Sequence, residues 1–256
     1  MDVLVIGGSG HIGADIVRSL TDRKAFVLKP GKEELDCRDS LKVEGYFVKN
    51  RPSAVVLCDG WFDDKVGKDI SEISYRPDAI VAENILKVCR AGDLDLVYIG
   101  TDMGPDGIAH EISQYDRSIV IHTSILFGMG GDNMIRSFMM YSRTMDKMSF
   151  DNTRFIHPTY SRDIAPVIVD MLIKKEYGSY VLHNSGGCTE YELACRIFTM
   201  MDSDTELIPE GTPAFEDRRR TSLPPWEDAV ERYIAELRRS GFFSDTGLNG
   251  LQSRGS

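Results

Sequence analysis

The chain has 256 residues, 42% of them apolar and 27% charged, the proportions of an ordinary globular protein with a well-buried core. Its net charge of −10, with the basic run RRR at 218–220 preceded by acids, disfavours nucleic acid or an anionic membrane as partner, and no apolar run is long enough to cross a bilayer. The five cysteines are odd in number, far apart and without a CxxC pair, which points to reduced thiols in the cytoplasm and against a structural zinc; no charged-then-apolar segment marks a secretory signal.

MDVLVIGGSGHIGADIVRSL opens with a buried-type strand, Val3 to Ile6. Glycines follow at 7, 8, 10 and 13, and then a helix with Ile12, Ile16, Val17 and Leu20 on one side. A dinucleotide site needs this order. Gly7 permits a tight turn, Gly10 lets backbone approach a pyrophosphate, Gly13 lets helix pack on strand, and the helix N-terminus presents N–H groups to the phosphates. A bare structural turn is the alternative, and the strand before and helix after weigh against it. The second strand, Ala25 to Leu28, ends at Lys29, where a site for NAD would carry an acid for the ribose hydroxyls. Lys29 can meet a 2′-phosphate, which favours NADP with NAD as the alternative, or stand as a solvated strand-end lysine.

Helix and strand patterns then alternate: a helix over Ser40–Asn50, a strand over Ala54–Cys58, a helix over Asp78–Ala91 and a strand over Leu96–Gly100. Another strand runs from Ser118 to Thr123, followed by a methionine-rich helix from Asn133 to Ser142. The strands are continuous apolar runs, as in a parallel sheet covered on both faces. Helices follow over Ser161–Lys174, over Thr189–Met201 with the capping box TEYE, and over Trp226–Ser240 with Gly241 as its stop. The Pro-rich piece 209–226 reads as a long surface loop, and 244–256 as a frayed tail.

Taken in order, eight pieces of the chain resemble the extended short-chain dehydrogenase/reductases, and within them the dTDP-4-dehydrorhamnose reductases. They are GGSGHIG at 7–13, ELDCRDS at 34–40, NRPSAVVLCDGWFDDKV at 50–66 and LVYIGTDMGPDG at 96–107. IVIHTSILFGMGGDN at 119–133, HPTYSRDIA at 157–165, YGSYVLHNSGGCTEYELACRI at 177–197 and LPPWEDAVERYI at 223–234 complete the series. The resemblance implies an α/β fold: a Rossmann-type doubly wound parallel sheet over 1–128 and a smaller substrate lobe over 129–243 that can return elements to the sheet. It also implies hydride transfer to a 4-keto sugar nucleotide. By position, Gly7, Ser9, Gly10, His11, Ile12 and Gly13 would form the cofactor phosphate loop, and Asp36 and Cys37 would face adenine. Thr101 would hydrogen-bond the substrate carbonyl, with Asp102 able to orient it. RFIHPTYSRDIA also resembles a run in sugar-nucleotide epimerases of the same superfamily, which makes Arg154 a candidate for the substrate's diphosphate, or else a surface arginine.

One part of the family's machinery is missing. Its reaction uses a Tyr-x-x-x-Lys pair on one helix face, the lysine lowering the tyrosine pKa so that the phenol can pass a proton to the carbonyl oxygen. Here Tyr115 is the tyrosine available, and four residues on stands Ile119, already in a strand. The crossover from Met103 to Arg117 closes with room for a short helix at Ile108–Tyr115 and no more. Without its lysine, Tyr115 would keep a pKa near 10. His110, His122 and Tyr160 are the alternative proton donors, each set against a structural or surface-exposed role. CDG at 58–60, with Asp59, and His122 and Ile125 also depart from the family's residues.

Two readings follow. One is an atypical NAD(P)-dependent reductase acting on a nucleotide-linked keto sugar or a related small carbonyl compound, with Thr101 and Tyr115 as its catalytic candidates and Arg154 and Tyr160 beside the substrate. The other is a catalytically silent dinucleotide- or sugar-nucleotide-binding subunit that regulates or scaffolds a protein partner. Thr101 and the substrate-lobe motifs tilt the balance to the first. Loss of the helix that often builds the superfamily's dimer predicts a monomer or an unusual contact.

Overall fold

The computed structural model describes residues 1–58, 79–101, 107–213 and 215–242, with the side chain of Thr101 outside the description. Asp59, Asp102 and the tail 244–256 also lie outside the described residues. In chain order the elements begin β1 (Asp2–Ile6), α1 (His11–Asp22), β2 (Phe26–Leu28), α2 (Ser40–Asn50), β3 (Ala54–Leu57), α3 (Ala79–Gly92) and β4 (Asp95–Thr101). They continue α4 (Gly107–Ser113), β5 (Ser118–Thr123), β6 (Leu126–Phe127), α5 (Met134–Thr144), β7 (Lys147–Asp151), β8 (Phe155–Ile156) and β9 (Thr159–Tyr160). The last are α6 (Ser161–Lys174), β10 (Gly178–Val181), β11 (Cys188–Thr189), α7 (Glu190–Met200), β12 (Glu206–Glu210) and α8 (Trp226–Arg239).

Six strands form one parallel sheet in the order β10-β5-β4-β3-β1-β2. Alternate residues of each strand face opposite layers, which is why both sets must be apolar. Val3, Val5, Val56, Val97, Ile99, Ile119 and Ile121 pack with Ile12, Ile16 and Leu20 of α1 and with Ile164, Ile168 and Val169 of α6. Leu4, Ile6, Val55, Leu57, Tyr98 and Val120 face the other way, onto Val43 and Phe47 of α2, Val81 and Ile85 of α3, and Ile112 of α4. The sheet is therefore covered on both sides, with each crossover helix lying where the alternation sends it.

The second half of the chain is divided. β10 and α6 join the Rossmann layers, whereas α5, α7 and α8 enclose a separate core around Phe138, Leu193, Ile197, Val230, Tyr233 and Leu237. Within the Pro-rich piece 209–226, Pro209 and Glu210 belong to a strand, since β12 pairs in parallel with β7. The expected capping box forms at α7: Thr189 Oγ1 accepts from Glu192 N at 3.1 Å and Glu192 Oε2 accepts from Thr189 N at 3.0 Å.

The turn from β1 to α1 is tight. Gly7 has φ of +77°, a conformation side chains resist, and Gly10 N donates to Gly7 O at 3.0 Å. A side chain at Gly13 would set its Cβ against the Gly7 carbonyl oxygen, 2.8 Å from that carbonyl's carbon and 2.9 Å from Gly8 Cα. Gly13→Ala must therefore open the turn or push α1 off the sheet. It is expected to cost about 1–3 kcal/mol, read as a lowered urea midpoint with the slope unchanged.

Candidate functional site

The glycine turn lies at the C-terminal ends of the parallel strands, where open α/β sheets bind ligands. It begins a cleft of about 280 Å³ lined by Ile6, Gly7, Gly8 and Ser9 on one side and by Pro30–Lys32 and Leu35–Arg38 on the other, with Val81 of α3 completing it. α1 starts at His11 with Gly10 as its N-cap, so the helix N-terminus follows directly on the cleft wall. The connection between β6 and α5 leans on the same turn. A Cβ on Gly130 would fall 2.8 Å from Gly10 O and 2.9 Å from Ser9 O, so backbone meets backbone there.

Asp36 and Cys37 line this cleft, in a segment that is well anchored. Asp36 Oδ1 accepts from Arg38 N at 3.1 Å, and Asn84 of α3 donates to Cys37 O at 3.0 Å. Ile12 and Gly13 are buried behind the turn, and Ile12 belongs to the sheet core. Lys29 follows the second strand, with its Cβ 3.2 Å from where a Cβ on Gly8 would stand. Its side chain is exposed and lies outside the cleft's lining, and the cations of the lining are Lys32 and Arg38.

His11 is buried at the start of α1, its ring against Gly131. Burial, and then the Arg136 guanidinium, push its imidazole down to about 4. Arg136 is itself held by Tyr233 OH and by the carbonyl of Met129.

Thr101 is the last residue of β4, in register with Thr123 of β5, at the same edge of the sheet as the glycine turn. Tyr115 is not at that edge. Its hydroxyl lies 2.8 Å from Leu94 O and 3.0 Å from Cys89 O, before β4 begins. Seven residues of strand separate that point from Thr101, roughly 20 Å at the rise of a β-strand. Burial, with the Cys89 side chain next, pushes the Tyr115 phenol up to about 12. The expectation that Tyr115 donates the proton is thereby corrected: α4 is two turns long and delivers its tyrosine to the wrong end of the sheet.

Tyr160 is corrected in the same way. It is fully buried, stacked on Phe127 with ring centroids 5.3 Å apart, and its hydroxyl bonds to the Glu236 carboxylate. Burial and that bond raise its pKa, so it is a structural joint and not a substrate contact. Arg154 is largely exposed, 3.6 Å from Asp151, just before β8 and outside the cleft. His110 is exposed on α4, and His122 is half-buried on β5 in register with Gly100 and Val181.

Two polar clusters escaped the sequence reading. The Ser161 hydroxyl bonds to the buried Asp15 carboxylate, while Arg162 pairs with Glu236; α1, α6 and α8 are joined by this set. Burial raises the Asp15 pKa despite the Ser161 hydrogen bond and the Arg18 and Arg162 charges. The signal was present: Asp15 and Ser19 share the apolar helix face of Ile12 and Ile16. The second cluster is His157 and His183, both buried, with ring centroids 4.2 Å apart and Asp217 Oδ1 3.7 Å from His157 Nε2. Nothing in the spacing of 157 and 183 pairs them.

The model of the RmlD substrate binding domain family matches residues 1–117 and 110–220. The chain belongs to this family. It is 23% identical over 227 residues to a dTDP-4-keto-6-deoxy-D-glucose reductase of Streptomyces niveus, covering 78% of this chain and 79% of the relative. It is 24% identical over 261 residues to the spore coat polysaccharide biosynthesis protein SpsK of Bacillus subtilis, covering 91% and 90%. Among solved structures, a dTDP-4-dehydrorhamnose reductase from Clostridium acetobutylicum superposes with a TM-score of 0.76 at 19% identity, over 93% of this chain and 100% of that one. One from Bacillus anthracis in complex with NADP gives the same TM-score and identity over 92% and 99%. The expected Rossmann-type fold is thus shared with these reductases.

Two outcomes follow for His11 and Tyr115. A folded His11 value below the unfolded 6.5 means the native state resists protonation. Its contribution is complete above about pH 6.5 and is withdrawn as pH falls towards 4, by on the order of 2–3 kcal/mol. Urea melts of His11→Gln should lose that part of the acid sensitivity. Tyr115→Phe should lower stability by about 0.5–1.5 kcal/mol and leave coenzyme affinity, followed by fluorescence, unchanged.

Proposed function

We propose that the protein is an NADP-dependent reductase of a keto sugar carried on a nucleoside diphosphate. The observation that carries the reading is the glycine turn: Gly13 pressed on the Gly7 carbonyl, with α1 starting at once and a cleft opening beside Ser9. That arrangement fits a dinucleotide, because backbone can approach a diphosphate only where side chains are absent. Membership of a family whose named relatives reduce dTDP-linked keto sugars supports the substrate class.

In this reading the Gly7–Gly13 turn and the first N–H groups of α1 hold the diphosphate, and Asp36 and Cys37 face the adenine. The bound nicotinamide supplies the hydride. Thr101 donates a hydrogen bond to the keto oxygen from the end of β4, polarising the carbonyl as the carbon is reduced. The oxygen then takes its proton from water by way of the Thr101 hydroxyl, since no tyrosine of the crossover reaches this edge with a lysine beside it. A positioned general acid is worth a factor of about 10²–10⁴, so slow turnover is expected.

The absence of any lysine between Thr101 and Ser118 is what favours a silent coenzyme-binding subunit instead. The activities named for the relatives do not support that second reading. One experiment separates the two: oxidation of NADPH on adding a dTDP-linked 4-keto-6-deoxy sugar. Turnover is expected at high enzyme concentration, at least tenfold slower in Thr101→Val with NADPH affinity retained, a loss matching one hydrogen bond to developing charge. Tight NADPH binding with no turnover by the wild type would refute the reductase.

A further inference from the structure

We infer that Thr123 is a positioning residue for the reduction, its buried hydroxyl holding the Thr101 hydroxyl in the orientation that serves the keto oxygen; the inference rests on the reductase reading proposed above. Thr123 is the last residue of β5 and the Cα partner of Thr101 at the end of β4. Neighbouring strands lie about 4.8 Å apart, and residues in register on a parallel pair share a face of the sheet. The two threonines therefore stand side by side, at the edge of the sheet where the glycine turn lies.

The hydroxyl of Thr123 is what singles it out. The residue is 1% exposed, and among the described residues its Oγ1 has no hydrogen-bond partner. The buried Nε atoms of Arg117 and Arg196 also lack one, but each of those guanidinium groups bonds a carboxylate through another nitrogen. Thr123 has a single polar side-chain atom, so its whole polar group is left unsatisfied. By alternation it shares the β5 face of Ile119 and Ile121, which belong to the apolar core. A valine there would fill nearly the same space without the penalty of a buried, unbonded hydroxyl. A group that weakens the fold at the end of a strand calls for a use outside the fold.

The backbone around Thr123 is fixed. Leu182 N donates to His122 O at 2.9 Å before it, and after it His157 N donates to Ser124 Oγ at 3.2 Å and Thr159 N to Ile125 O at 2.7 Å. A hydroxyl has one hydrogen to donate and two lone pairs that accept. When Thr101 gives its hydrogen to the keto oxygen, its own oxygen is left able to accept, and Thr123 is the buried donor beside it. The chain then runs from the Thr123 hydroxyl to Thr101 Oγ1, and from the Thr101 hydroxyl to the keto oxygen. The first bond fixes the rotation of the Thr101 hydroxyl and strengthens its donation as negative charge develops on the substrate. Thr123 touches neither substrate nor coenzyme in this role; it acts through Thr101.

The test is steady-state oxidation of NADPH by a dTDP-linked 4-keto-6-deoxy sugar, with the full chain and with Thr123→Val, Thr123→Ser, Thr101→Val and the double valine variant. Thr123→Val should lower kcat about fivefold to tenfold, leave KM and NADPH affinity within about twofold, and keep or raise the urea midpoint. Thr123→Ser should hold kcat within about threefold of the wild type, since the donor is retained. Because Thr123 works through Thr101, the double variant should be no more than about twofold slower than Thr101→Val alone. Wild-type turnover in Thr123→Val overturns the inference. So does a loss that Thr123→Ser shares, or one that multiplies with the loss in Thr101→Val. A lowered urea midpoint with a raised KM in Thr123→Val overturns it too, by assigning the hydroxyl to the fold. NADPH binding without turnover by the wild type overturns the reductase reading, and this inference with it.

Discussion

The contact between the Gly7 carbonyl and Gly13 sets the distance between β1 and α1, and most of the molecule is arranged around that distance. Because neither glycine carries a side chain, the helix lies directly on the strand end. Ile12, Ile16 and Leu20 then reach Val3 and Val5 without a gap. The same closeness leaves the first turn of the helix directly behind Ser9 of the cleft wall, with the positive end of its dipole at that end. A methyl group at position 13 would disturb the helix packing and the turn that begins the cleft together, since both are made by one contact.

From α1 the constraint passes into the second half of the chain. Asp15 carries a buried carboxylate to Ser161 at the start of α6, and Arg162 and Tyr160 beside it both engage Glu236 of α8. Asn184 extends the joint, donating to Asp163 at 2.7 Å, and Asp163 in turn receives the guanidinium of Arg232 at 2.7 Å and 2.9 Å. Buried charges are tolerated here because each has a partner; breaking one pair would leave the other group stranded at considerable cost. The lobe built by α5, α7 and α8 is therefore registered on the cofactor helix by polar contacts, while its own interior is held by Phe138, Phe150 and Phe198 packed edge to face.

The Rossmann layers were legible because their signals are local. Runs such as AVVL at 54–57 must be strands buried on both faces, and the glycine spacing after β1 has one economical use. Tyr115 misled because chain position stood in for direction. Sequence spacing showed that it lacked a lysine, but only the long-range bonds to Cys89 O and Leu94 O show that it belongs to the far end of β4. Tyr160 looked available to a substrate and is a core residue, because Phe127 and Glu236 approach it from distant parts of the chain. Such contacts are set by how the two lobes meet, and no period in the sequence encodes them.

The central claim is that the turn from Gly7 to Gly13 grips the diphosphate of a nicotinamide dinucleotide with its backbone. Amide NMR of the full chain titrated with NADPH tests it most directly. The account predicts saturable shifts and slowed exchange at the N–H groups of Ser9, Gly10, His11, Ile12 and Gly13. Saturable binding that leaves those amides untouched, or no binding at all, would contradict it.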